Sequence, residues 1–323
     1  MRTISKEKSQ IWDDRTVSKM KCMFLILFVV APLAALLYPP LVSATPLLGS
    51  DLASFTVLGA STVTNVPTST IVGNVGVSAG TALPGFSFVS GTATSDPQVT
   101  GGLVHSNTAV AQPAQLQLDT AITNLGLLGP GTLLAADLTL AGTLAPGVYT
   151  VPAGTSNLTG MLTLDGGGNA NAAWVFQMPS TLITSDNSVV NVINTGSGAG
   201  VYWNVGSSAT IAFNTTFLGN ILAVTDINMI TSARDLCGRV LAANGQVVLD
   251  QNSLSGVCTE SLAGSNGLSG GLDVITTPGA GTEVVFLPYA PVSGGTVPEP
   301  STMLLLGSGL AGLVVFRKRL KKA

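Results

Sequence analysis

The sequence predicts a mainly β chain: a β-solenoid with one long α-helix. Three observations carry this. Short apolar-alternating runs are separated by Gly, Asn or Pro, as in Phe55-Thr56-Val57-Leu58, Gly147–Val151, Met161–Leu164 and Trp174-Val175-Phe176, which is the signature of strands with turns. Related segments recur: Gly219–Ala223 returns as Gly238–Ala242 after 19 residues, and Phe176–Ser180 returns loosely as Trp203–Ser207 after 27. Small polar triplets preceding an apolar residue also recur, ending at Ser188, Thr216, Asp235 and Ser253, with spacings of 28, 19 and 18. Coils of such lengths, each stacking on its neighbour, fit a solenoid; a sandwich gives short strands too but does not require this ladder. Third, Val110, Ala114, Leu118, Ala121, Ile122 and Leu125 recur at three- and four-residue steps between Asn107 and Leu125, the period of an amphipathic helix. Pro113 near its start and Gly126 past its end sit where a helix accepts them.

The ends read as addresses. A basic stretch, the apolar run Phe24–Val42, and small residues Val42 and Ala44 at the −3 and −1 positions mark residues 1–44 as a signal peptide, with Met20 an alternative start. At the other end Pro298-Glu299-Pro300 precedes the apolar segment Ser301–Phe316 and a basic cluster from Arg317 to Lys322. As a helix that segment would be about 24 Å long, short but workable for a bilayer core, with the cations held on the cytoplasmic side. These three parts resemble the PEP-CTERM sorting signal of Gram-negative bacteria. The resemblance implies export, transient inner-membrane anchoring, removal of the tail by an exosortase-type enzyme, and contact with exopolysaccharide at the cell surface. Residues 45–260 form the solenoid, 261–296 a linker with a short strand at Glu283–Leu287, and 297–323 the sorting signal.

Charge narrows the function. Eleven of the 13 Lys and Arg lie at the ends; the stretch from Thr45 to Pro300 keeps only Arg234 and Arg239 against 13 acids, a balance of −11. Such a body cannot neutralise a phosphate backbone, which excludes nucleic acid. With one His, His105, and no Lys in that stretch, there is no material for His-pair, Lys-nucleophile or Cys/His metal chemistry, and neither cofactor nor metal is expected. The acids are scattered, unlike the paired carboxylates of a glycosidase. Asp165-Gly166-Gly167-Gly168-Asn169 lacks the alternating carboxylates of a Ca²⁺ loop and the Lys of a phosphate loop, so it is a turn. After export Cys237 and Cys258 remain, an even pair suited to one disulfide in an oxidising compartment.

The body is similar to the ice-binding-protein-like family. Leu48-Gly49-Ser50, Phe55–Gly59, Ser61–Asn65, Gly76–Ala82, Pro146–Tyr149, Leu162–Asp165, Trp203–Thr210 and Phe217–Ala223 carry the resemblance, in the family's order. It implies a discontinuous right-handed β-solenoid, roughly triangular in section, with the helix packed alongside. It also implies a non-enzymatic protein whose partner is an ice crystal surface, engaged by a flat face of Thr, Ser or Asn. Thr suits this because its hydroxyl and methyl sit on a stiff χ1, and stacked strands repeat at about 4.8 Å. The nearest matches to the family's motifs assign the ice contacts to Asn187, Ser188, Thr215, Thr216, Thr231, Asn252 and Ser253. Arg234 and Asp235 interrupt that array with two charges, and the sequence leaves open whether another face is used. The alternative is the same scaffold acting as a cell-surface or matrix adhesion protein without ice activity.

Overall fold

A computed structural model describes residues 43–292; the expected signal peptide, 1–44, lies outside the described residues except for its last two, and the sorting signal, 297–323, lies wholly outside them. The chain divides into two compact units. One contributes Ser43 and the turn region 276–281; the other, residues 44–275 and 282–292, carries the fold.

That larger unit winds through three parallel ladders. The first contains, in axial order, Thr132–Leu133, Gly147–Thr150, Ala173–Met178, Gly200–Val205, the C-terminal halves of Thr216–Ala223 and Arg234–Ala242, Phe55–Gly59, Asn74–Val77 and Val104–Ser106. The second contains Leu182–Ile183, Ala209–Ile211, Ile227–Met229, Val247–Leu249 and Val63–Asn65. The third runs through Thr143–Leu144, Met161–Asn169, Val189–Thr195, the N-terminal halves of the two long strands, Ser253–Ser255, Thr70–Val72 and Val99–Thr100. The repeats read from the sequence are these neighbours: Gly219 pairs with Gly238, and Phe176 with Trp203. The long strands bend from the third ladder into the first at Gly219, whose φ is +106° and where a Cβ would lie 2.6 Å from Val201 Cγ1.

The coils are discontinuous. Val57 pairs with Val240 and Val63 with Val247, so the N-terminal coils stack on the last ones. The helix Ala111–Leu127 then carries the chain back along the stack. Its 17 residues rise about 25 Å, the height of about five inter-strand steps. It begins later than residue 107, because Asn107 is left-handed (φ 50°) and the Thr108 hydroxyl accepts the Ala111 N–H at 3.2 Å. Ala111, Ala114, Leu118, Ala121 and Leu125 are buried as the periodicity requires, but Val110 is exposed. At its far end Gln177 Nε2 donates to the Leu125 carbonyl at 2.6 Å, occupying one of the orphan acceptors of the last turn.

The helix explains why first-ladder strands are apolar on both faces. Ala173, Val175, Tyr202, Leu222 and Leu241 pack beneath it, while Trp174, Phe176, Trp203, Ile221 and Val240 fill the solenoid interior. There Phe176 and Trp203 stack with centroids 4.1 Å apart, and Phe217 follows at 4.8 Å. Both indole N–H groups are satisfied by carbonyls, of Leu144 and Leu218. His105 is buried, with Nδ1 3.0 Å from the Thr108 hydroxyl and its ring edge-on to Phe55.

The stretch 261–296 was expected as a linker, and its described part is instead folded. Leu262, Leu268, Leu272, Val274 and Val284 are buried, and strands span Leu272–Thr277 and Gly281–Phe286. Spaced apolar residues amid Gly and Ser read as a linker in sequence, yet each joins one of the two hydrophobic clusters of the core. Cys237 and Cys258 are joined by a disulfide across Cα atoms 4.6 Å apart. Arg239, the one buried cation among the described residues, closes the same region. Its guanidinium donates to the carbonyls of Ala53, Asn266 and Gly267 and to Oδ1 of Asn220 and Asn266.

Candidate functional site

The corner between the second and third ladders turns through one left-handed residue per coil: Asn187 (φ 60°), Asn214 (53°), Ser232 (61°) and Gln251 (52°). Asn adopts this conformation more readily than most residues, and the polar triplets of the sequence are these corners. Their side chains largely serve the fold. Ser188 donates to the Ser185 carbonyl at 2.7 Å; Thr215 lies 3.2 Å from the Thr184 hydroxyl; Asn252 Nδ2 donates to the carbonyls of Ile230 and Ala233. Ser188, Thr215 and Asn252 are therefore buried and offer nothing to a surface. Thr231 is half-buried and donates its hydroxyl to Asp250. Asn187 is exposed at the corner, accepting from Asn214 Nδ2 at 2.9 Å.

Thr216 and Ser253 do face outward, on the third ladder, where Arg234 pairs with both. Arg234 is exposed, so the expected interruption by a cation is real. Asp235 is not part of it: register opposite Phe217 turns the carboxylate inward, fully buried, with Oδ1 accepting from Cys237 N and Oδ2 lacking a partner. Burial pushes its carboxyl well above the usual range. The seven assigned residues thus divide among interior, corner and third ladder rather than forming one face.

The second ladder differs. Its four pairings run without a register shift. Val63, Ala209, Ile211, Ile227, Met229, Val247 and Leu249 point inward and are buried. The alternate residues Ile183, Thr210, Asn228, Val248 and Thr64 align in one partly exposed outward column. Four strand spacings make it about 19 Å tall. The column carries no charge; the nearest acids are tied down at its margins, Asp226 accepting from Gln246 N at 2.9 Å and Asp250 from Thr231. Sequence reasoning missed this column, although apolar–x–apolar triplets at 209–211, 227–229 and 247–249 were its signal.

A groove of about 690 Å³ is lined by Ser50, Thr56, Gly73, Gly256, Asn266 and Gly270 among others, with no titratable side chain. Among the described residues no cluster of His, Cys, Asp and Glu could hold a metal ion, and no helix is long and apolar enough to cross a membrane.

The Ice-binding-like family matches residues 57–255, and a PEP-CTERM protein-sorting motif matches 296–319. An ice-binding protein of Nostoc sp. (strain HG1) is 38% identical over 272 residues, covering 83% of this chain and 86% of that protein. Ice-binding protein K3-B1 of Typhula ishikariensis is 32% identical over 57% of this chain and 79% of its own. Among solved structures, an ice-binding protein from an Antarctic biological consortium superposes with a TM-score of 0.54 at 30% identity, covering 65% of this chain and 91% of that one. One from the Antarctic ascomycete Antarctomyces psychrotrophicus does so at 0.54 and 29%, covering 66% and 98%. The family match opens in the strand Phe55–Gly59 and closes with Ser253–Ser255, so that it embraces the stacked coils from end to end. The fold, the uncharged ladder and these matches agree: the chain belongs to the ice-binding-like family.

Proposed function

We propose that this exported protein adsorbs to ice through the outward surface of the second ladder. The observation that supports this choice of face is its unshifted five-strand column, Ile183–Thr210–Asn228–Val248–Thr64, free of charge. Strand pairing holds hydroxyl, amide and methyl groups at fixed spacing, so ordered water meets a preformed template and many weak contacts add without an ordering cost. On the third ladder Arg234 holds its own hydration and breaks such a template. No proton transfer, nucleophile or metal enters this mechanism, and the protein is not an enzyme.

The PEP-CTERM match supports export and recognition by an exosortase-type enzyme, with the apolar segment Ser301–Phe316 holding the chain at the inner membrane until it is removed. The same motif favours one second reading, adhesion at the cell surface or in an exopolysaccharide matrix. Thermal hysteresis and ice recrystallisation inhibition of the purified protein separate the two. Thr210→Tyr is expected to abolish both activities by lifting the face off the ice, while Thr216→Tyr on the third ladder leaves them intact. The reverse pattern moves the site to the third ladder. No activity from the folded wild type leaves the adhesion role.

A further inference from the structure

The third ladder repeats the geometry of the second on a larger scale. Met161 pairs with Val189, Val189 with Thr216, Thr216 with Arg234, Arg234 with Ser253 and Ser253 with Thr70. The residues that follow them, Leu162, Val190, Phe217, Asp235, Leu254 and Ile71, are all buried. Side chains alternate along a strand, so the paired residues form one outward column, and none of them is buried. Five strand spacings make it about 24 Å tall, one strand taller than the second-ladder column. No register shift falls between its members. Three of them, Thr216, Ser253 and Thr70, carry hydroxyls, and Thr70 Oγ1 lies 3.4 Å from Ser253 Oγ.

This column fails as a template at one position. Arg234 stands between Thr216 and Ser253, and it is the one exposed cation among the described residues. Its side chain makes a single hydrogen bond, from Nη2 to Asn214 Oδ1 at a long 3.4 Å, so most of its five N–H donors are left to water. Seating ice on this face would strip water from a charge that nothing compensates, a cost that hydroxyl and methyl contacts do not offset. The long stem also lifts the guanidinium above the level of the Thr and Ser side chains. Asp165 lies farther along the strand Met161–Asn169, outside the column, where Gly167 N and Asn194 Nδ2 donate to its carboxylate.

We propose that Arg234 confines ice contact to the second ladder: the third ladder is a latent ice face that one cation keeps hydrated, and removing that cation opens it. This rests on the assignment of the second ladder as the ice-contacting face.

The test is a rescue. Thermal hysteresis and ice recrystallisation inhibition are measured for the purified protein, for Thr210→Tyr, and for Thr210→Tyr combined with Arg234→Thr or with Arg234→Lys. Arg234→Thr gives up one long hydrogen bond and places a strand-favouring residue in a strand; circular dichroism and Tm confirm that each variant is folded. Activity is expected to be lost in Thr210→Tyr, to return with Arg234→Thr, and to stay lost with Arg234→Lys, which keeps the charge. Adding Thr216→Tyr to the rescued variant is expected to silence it again, because the regained activity sits on the third ladder. A folded Thr210→Tyr/Arg234→Thr protein without hysteresis overturns the proposal, as does equal rescue by lysine or a rescue that survives Thr216→Tyr. An inactive wild type, or a Thr210→Tyr variant as active as wild type, instead overturns the second-ladder reading and takes this proposal with it. The two failures are therefore told apart by which variant departs from expectation.

Discussion

Replacing Arg239 by Met is expected to cost about 4 kcal/mol of folding stability, from the removal of one partner from a buried charged network. The guanidinium is 1% exposed and burial lowers its pKa to about 10, with Tyr202 and Asp235 opposing that shift. It remains a cation at neutral pH and makes six hydrogen bonds to Ala53, Asn220, Asn266 and Gly267. Two of the acceptors, Asn220 Oδ1 and Gly267 O, lie in fully buried pairs; each orphan costs about 1–3 kcal/mol. The others can recruit water once the region loosens. For a domain of this size the loss corresponds to a fall in Tm of about 8–16 °C. Urea unfolding followed by the fluorescence of the buried Trp174 and Trp203, with the disulfide intact, measures it. Arg239→Lys should fall between, since an ammonium cannot span acceptors on three separated segments. Were Arg239→Met within about 1 kcal/mol of wild type, the size of an ordinary substitution, Arg239 would not be what clamps the N-terminal, central and C-terminal segments together.

Two further perturbations follow from buried groups near that clamp. Because burial raises the Asp235 carboxyl in the folded state, its contribution to stability is full below the unfolded value of about 3.9 and is lost as pH rises through the raised native value. Asp235→Asn should therefore gain on wild type in Tm as pH increases; a difference constant from acid to neutral pH would refute this. Reducing the disulfide, or Cys258→Ser, opens a loop closed over a separation of 21 residues and is expected to cost about 3 kcal/mol from loop entropy. Denaturant midpoints with and without reductant check it.

Much was legible in the sequence. Alternating runs, coil-length repeats and one helical stretch specify a solenoid with a helix, because inward apolar residues must recur once per strand and helical residues every three or four. The pairings Gly219–Gly238 and Phe176–Trp203 were visible as offsets for that reason. Charge depletion of the body, the cysteine pair and the C-terminal sorting motif were equally local facts.

Three-dimensional packing decided which polar residues face water. Ser188, Thr215 and Asn252 belong to the recurring polar triplets of the sequence, and each is held by hydrogen bonds within the corners of the stack. A repeat imposed by the fold's interior looks the same, in one dimension, as a repeat imposed by a ligand. The second-ladder column has a more varied composition, Ile, Thr, Asn, Val and Thr, and only strand register brings those residues into line. Asp235 turned inward because side chains alternate along a strand, so a one-residue difference in register separates a surface charge from a buried one. The sequence by itself determined the scaffold and the C-terminal sorting motif. The tertiary structure decided which residues line up in the second-ladder column and which segments Arg239 joins, because each brings together residues that only coil stacking makes neighbours.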